Sequence, residues 1–127
     1  MERIAHNPTD GIYPADDYVH AIEVRQPQRI VYLAGTMGLR PDGAAGADID
    51  EQLELVWNNI RRILADADMT TDNIVRVTSY LRDSAYVEKN AQARLKALGN
   101  RKIPTTAIVA QTLVDDWLVE IEVIAAA

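Results

Sequence analysis

Two glutamates near the C-terminus, Glu120 and Glu122, are the side chains of this sequence best suited to acid–base work. A carboxylate beside a waiting water can act as a general base or hold that water against an electrophilic carbon. Both fall in the alternating run Trp117–Ala125, so they project from one side of an extended segment, about 6.6–7 Å apart by strand rise. Glu120 is the stronger candidate, and Glu122 reads as structural, paired to an arginine across a subunit contact. Far away in the chain, Tyr18 and His20 are also two residues apart. If that segment is extended they share a face, where a phenol can donate to a developing anion and an imidazole can shuttle a proton near neutral pH. The competing reading of His20 is a partly buried ring satisfied by a backbone group.

Other chemistries find less support. Cysteine is absent, which removes thiolate catalysis and disulfides. The second histidine, His6, lies in a polar stretch and reads as solvated. With no HxxxH or HExxH spacing, no metal site is expected. Gly35, Gly38, Gly43 and Gly46 lack the Gly-Lys-Ser/Thr ending of a phosphate loop and read as turn residues. No cofactor is expected.

The elements that must position these groups are legible from periodicity. With 127 residues, 48% hydrophobic and 25% charged, the chain fits one globular domain over 1–127. The first twenty residues are rich in Pro, Gly and Asp and read as irregular, with 1–17 an N-terminal arm. Ala21–Val24 and Ile30–Ala34 are extended and close enough to form a hairpin. Arg40-Pro41-Asp42-Gly43 signals a tight turn. Ile49, Leu53, Val56, Ile60, Leu64 and Ala67 make one apolar helical stripe, with Asp48 and Glu51 as a capping box and Asp68 at a left-handed stop. Trp57, one residue off that stripe, belongs in the core or an interface. Asn73–Leu81 is a β-branched buried strand. A second helix, about Ser84 to Leu98, shows Val87, Ala91, Leu95 and Leu98 on one side and stops at Gly99-Asn100. Pro104 opens the extended run Thr105–Ala110. In the last strand Trp117, Val119, Ile121 and Val123 face one way, and Leu118, Glu120, Glu122 and Ile124 the other.

The expected architecture is therefore α+β in the order β-β-α-β-α-β-β. Two helices cover one sheet face and leave the Glu120 face for a subunit interface around a polar pocket. This order, with Val31-Tyr32-Leu33-Ala34-Gly35-Thr36, Asn73-Ile74-Val75-Arg76-Val77-Thr78 and Leu118-Val119-Glu120-Ile121-Glu122-Val123-Ile124-Ala125, resembles the RidA/YjgF family. That family is also labelled enamine/imine deaminase or endoribonuclease L-PSP. The resemblance runs from about residue 18 to the C-terminus. It implies a chorismate-mutase-like homotrimer with small-molecule pockets between subunits.

It also implies site residues, and two departures from them. Glu120 matches the glutamate that hydrogen-bonds the attacking water, Tyr18 the aromatic residue at the pocket mouth, and Asn90 the asparagine at the start of the second helix. The arginine that grips a substrate carboxylate, two residues after Pro104, is replaced by Thr106, with Ile108 the next binding position along the strand. The pocket serine is replaced by Ala34. Threonine can hydrogen-bond but cannot neutralise an anion, so the substrate is expected to lack an α-carboxylate, unless Arg101 or Lys102 takes over that role.

The resulting expectation is a cofactor-free hydrolase (deaminase) acting on an imine, enamine or related activated small molecule. Glu120, His20 and Tyr18 are its catalytic candidates. Two other readings use the same trimer, a non-catalytic binding or interaction protein and a diverged isomerase, lyase or cyclase. A net charge of −6 with no basic stripe argues against a nucleic-acid partner and against the ribonuclease label. No apolar run is long enough to span a membrane, and the N-terminus lacks a secretory signal. A cytoplasmic location is expected.

Overall fold

The core of the molecule lies between one five-stranded sheet and two helices, as a computed structural model describing residues 1–127 shows. The strands are β1 (Glu2–His6), β2 (Ala21–Arg25), β3 (Ile30–Tyr32), β4 (Thr36–Met37), β5 (Ile74–Leu81), β6 (Thr105–Val109) and β7 (Val119–Ala126). The helices are α1 (Ile49–Asp66) and α2 (Val87–Ala97), with short 3-10 turns at Thr71–Asn73 and Ser84–Tyr86. The main sheet runs β3-β7-β5-β6, and β4 also pairs with β7. All its pairings are antiparallel except β5 with β6.

The alternation in β7 drives this arrangement. Val119, Ile121, Val123 and Ala125 are buried against Leu53, Val56, Trp57, Ile60 and Leu64 of α1. Each valine, leucine or isoleucine side chain so removed from water stabilises the fold by about 1.5–3 kcal/mol. Asp48 caps α1 by accepting from the Glu51 amide, whereas Glu51 reaches back to the Ala47 amide, not to that of Asp48. The left-handed stop at Asp68 (φ 54°) and the Gly99-Asn100 stop (φ 62° and 64°) both form. The α+β class, with two helices over one sheet face, stands as expected. No helix is long and apolar enough to cross a membrane.

Several local expectations fail. The arm is not irregular throughout, because Glu2–His6 is a strand paired with β2. Its residues are largely exposed, so no hydrophobic pattern announced it. Across that pair Glu23 accepts from Arg25 and contacts His6, and these neighbours hold its carboxyl below the usual carboxylate range. Because β1 takes β2, no hairpin forms between β2 and β3. Instead Gln26 turns the chain at positive φ, and β3 joins β7. The Ile30–Ala34 run stops at Tyr32 and resumes as β4.

Helix α2 is also rotated from the expected face. It buries Asn90, Arg94 and Ala97; of the expected face Leu98 is buried, Ala91 and Leu95 are half-buried, and Val87 is exposed. The reason is Arg94, which donates to the Asp17 backbone carbonyl and pairs with the Asp17 carboxylate at 2.9 Å, pinning the arm beside Tyr18.

Candidate functional site

The uncovered face of the sheet is built by residues of the opposite parity. From β7 it receives Glu120, Glu122 and Ile124, and from β5 Arg76, Thr78 and Tyr80. From β6 it receives Thr106 and Ile108, registered with Thr78 and Tyr80. Most of these residues are at least partly exposed, and Ile108 is half exposed.

Glu120 sits near the start of β7, opposite Met37 of β4 and Tyr80 of β5. It lines a cleft of about 290 Å³ with Gly35, Tyr80, Glu122 and the 110–113 segment. That segment is fixed by Arg82, which donates to the Thr112 carbonyl at 3.1 Å and hydroxyl at 2.7 Å and pairs with Asp115. The two glutamates differ in their commitments. Glu122 accepts a short hydrogen bond from the Tyr80 hydroxyl, whereas Glu120 has no hydrogen-bond donor within the chain. Glu122 is therefore engaged within its own chain, through one oxygen, by Tyr80. The Glu122 bond, then burial and the negative charge of Glu122 and Glu120, push the Tyr80 phenol above its ordinary value.

Tyr18 and His20 lie elsewhere. Their rings meet edge to face at 5.8 Å, and Tyr13 packs against His20 at 5.1 Å. His20 Nε2 donates to the Tyr13 carbonyl at 2.9 Å, which is the backbone-satisfied arrangement and leaves Nδ1 as an acceptor. His20 lines a separate cleft with Arg76 and Pro104. The single chain thus does not gather the three catalytic candidates in one cleft, because the arm is tied to α2 through Asp17 and to the Ile103 carbonyl through the Val19 amide, while Glu120 lies beside β4.

The binding candidates divide in the same way. Thr106 and Ile108 are on the open face. Ala34 is exposed, and its carbonyl accepts from Thr36. Asn90 is only 2% exposed, on the buried side of α2, so it cannot reach a ligand on the open face. Trp57 is core. Arg101 does not replace the missing arginine, since it donates to the Thr71 carbonyl at 2.7 Å and lies over the start of β5. Burial, then the Arg3 cation, lower its proton affinity there. Lys102 is exposed outside the clefts described here. Of Gly35, Gly38, Gly43 and Gly46, only Gly43 acts through a left-handed turn (φ 87°), while Gly35 and Gly38 allow close approach of Glu120 and Gln52.

Two residues of this face escaped the sequence reading, Arg76 and Tyr80. A bulge between Ile74 and Arg76 places Val75 and Arg76 against one residue of β7, so Arg76 emerges on the open face. The Arg76 guanidinium donates to the Thr106 hydroxyl at 3.1 Å. The alternation Arg76, Thr78, Tyr80 against Val77, Ser79, Leu81 was the available signal.

Comparison with known proteins gives one consistent result. The sequence model of the family described as endoribonuclease L-PSP matches residues 9–127. A RutC family protein of Pyrococcus abyssi is 31% identical over 114 residues, 88% of this chain and 87% of its own. An endoribonuclease L-PSP structure from Entamoeba histolytica is 31% identical, with a TM-score of 0.71 over 89% of this chain and 90% of that one. The Rid family protein YyfB of Yersinia pestis shares the fold over the full length of both chains, with a TM-score of 0.82 at 24% identity.

Proposed function

The chain belongs to the endoribonuclease L-PSP family, also called RidA/YjgF, and on that premise we propose that it is a hydrolase of imines or enamines. The observation that carries this reading is the contrast between the two carboxylates. Glu122 accepts from Tyr80, whereas Glu120, in the same cleft, is held by no donor of the chain and keeps its carboxylate for a water. A carboxylate so placed can orient water on an imine carbon and take its proton as the C–O bond forms. The carbinolamine then collapses and expels the amine, so no cofactor is required.

The open face of the sheet supports a pocket completed by a second copy. We place Glu120 of one protomer against the Tyr18–His20 cluster of a neighbour in a homotrimer. Tyr18 would close the pocket mouth, and His20 would take up through its free Nδ1 the proton that Glu120 removes from the water and pass it to the departing nitrogen. The altered positions Thr106 and Ala34 set specificity. Without a guanidinium at residue 106, an α-carboxylate loses a bidentate partner worth about 2–5 kcal/mol in the transition state.

RNA cleavage is not proposed, because the face carries two glutamates and the chain a net charge of −6. Purified protein assayed against a panel of small imines and enamines, with mass measured by light scattering, tests the proposal. We expect a trimer that hydrolyses imines lacking an α-carboxylate faster than 2-iminopropionate. A monomer, or a trimer inactive on every imine, would overturn it.

A further inference from the structure

We infer that Arg76 is the anion-recognition residue of the open face, and that it selects ligands whose carboxylate lies several bonds from the reacting carbon. The inference rests on the proposed function for the word "reacting", but the anion site itself does not depend on turnover.

Arg76 is exposed, and no carboxylate of the protomer pairs with it. Its one side-chain hydrogen bond is to the Thr106 hydroxyl, which leaves most of the five guanidinium donors open. One carboxylate, Glu122, shares a cleft with Arg76, but it accepts from Tyr80 and does not pair with the guanidinium. Here the surroundings are those of a site. Arg76 lines two adjoining clefts, one of about 290 Å³ with His20 and Pro104, the other of about 250 Å³ with Tyr32, Thr78 and Glu122. The Thr106 contact holds the guanidinium across β5 and β6, and the bulge after Ile74 aims it there. A planar fork fixed in this way suits a carboxylate.

The register then sets the length of the ligand. Arg76 stands opposite Ile124, whereas Glu120 stands opposite Tyr80. Along the strand the two backbones are therefore two pleats apart, roughly 13 Å by strand rise. The lean of Arg76 towards Thr106 recovers up to about one pleat of this along the strand, and the reach of the Glu120 side chain with its water offsets the step across β5 from β7 towards β6. In an α-imino acid the carboxylate and the imine carbon are directly bonded, so that molecule spans the remainder poorly. Two or three intervening carbons let the anion rest on Arg76 while the electrophilic carbon meets the water at Glu120. The ligand class is a short carboxylate with its imine, or the parent carbonyl, at the fourth or fifth carbon.

Calorimetric titration of the intact protein with pyruvate, 4-oxopentanoate, 5-oxohexanoate and the neutral ketone 2-pentanone tests this. The longer oxo acids should bind about tenfold more tightly than either pyruvate or the ketone, the usual scale for a charge-assisted pair. Arg76→Gln, a surface change that spares the core, should erase the advantage over the ketone. Arg76→Lys should keep part of it, and Glu120→Gln should keep all of it. Equal or tighter binding of pyruvate, unchanged carboxylate binding in Arg76→Gln, or no binding of any oxo acid would overturn the inference. Arg76-dependent binding of the long acids without hydrolysis of any imine supports the anion site and counts against the hydrolase alone.

Discussion

A methyl group on Gly35 would overlap Oε2 of Glu120 and stand 2.9 Å from its carboxyl carbon. The turn between β3 and β4 is thus pressed against the one carboxylate of the open face that no other side chain holds. The glycine is required here by proximity and not by φ, since its backbone is not left-handed.

Replacing Gly35 by alanine should therefore act on chemistry before stability. Glu120 is flexible and partly exposed, so its carboxylate can swing aside at little cost to the fold. We expect Tm to stay within a few degrees, while turnover falls about 10–100-fold because the water is displaced by an ångström or so. Circular dichroism melts alongside a hydrolysis assay check both halves. Full activity in the variant would mean that the position of Glu120 does not matter.

Gln52 makes the opposite kind of contribution. It is 2% exposed, donates to the carbonyls of Gly46 (3.0 Å) and Asp116 (2.8 Å), and accepts from the Leu118 amide (2.9 Å). It thereby ties the 43–47 loop to the segment entering β7. Gln52→Leu keeps the volume but strands these backbone groups, which should cost about 2–4 kcal/mol. Urea denaturation measures this, and a loss under half a kcal/mol would contradict the tie.

The Tyr80–Glu122 bond predicts a pH dependence. The phenol is raised above its ordinary value of 10.0 chiefly because its neutral form donates to Glu122. A group whose folded value is raised stabilises the fold below its unfolded value and loses that contribution as pH climbs through the folded one. Absorbance titration of the five tyrosines should show one ionising last. That step should vanish in Tyr80→Phe and move to lower pH in Glu122→Gln. An unmoved titration in Glu122→Gln would show that the bond is not kept in solution.

What the sequence disclosed and what it hid follow from the strength of each physical signal. The alternation of β7 and the stripe of α1 are hydrophobic patterns with large burial terms, so the sheet, its covering helix and the open face were all readable. Strand β1 was not, because its residues are mostly solvent-facing and the strand exists only through its ladder with β2. The orientation of α2 was misread because a buried arginine outweighs Val87, the ion pair of Arg94 with Asp17 setting the helix face. Arg76 was hidden by the bulge, since a strict two-residue period through Ile74 would bury position 76 with it. Glu120 was singled out by its parity and its family position. Its freedom from partners, which distinguishes it from Glu122, required the structure.

The most direct test of the account is turnover by Glu120→Gln and Glu122→Gln, assayed beside the wild-type protein on an imine that the wild type hydrolyses. Glutamine keeps the volume and one acceptor but cannot take a proton. The account predicts that Glu120→Gln loses about 10²–10⁴-fold in turnover with unchanged Tm and assembly mass, while Glu122→Gln stays within a few-fold of wild type. Full turnover in Glu120→Gln, with or without a loss in Glu122→Gln, would contradict it.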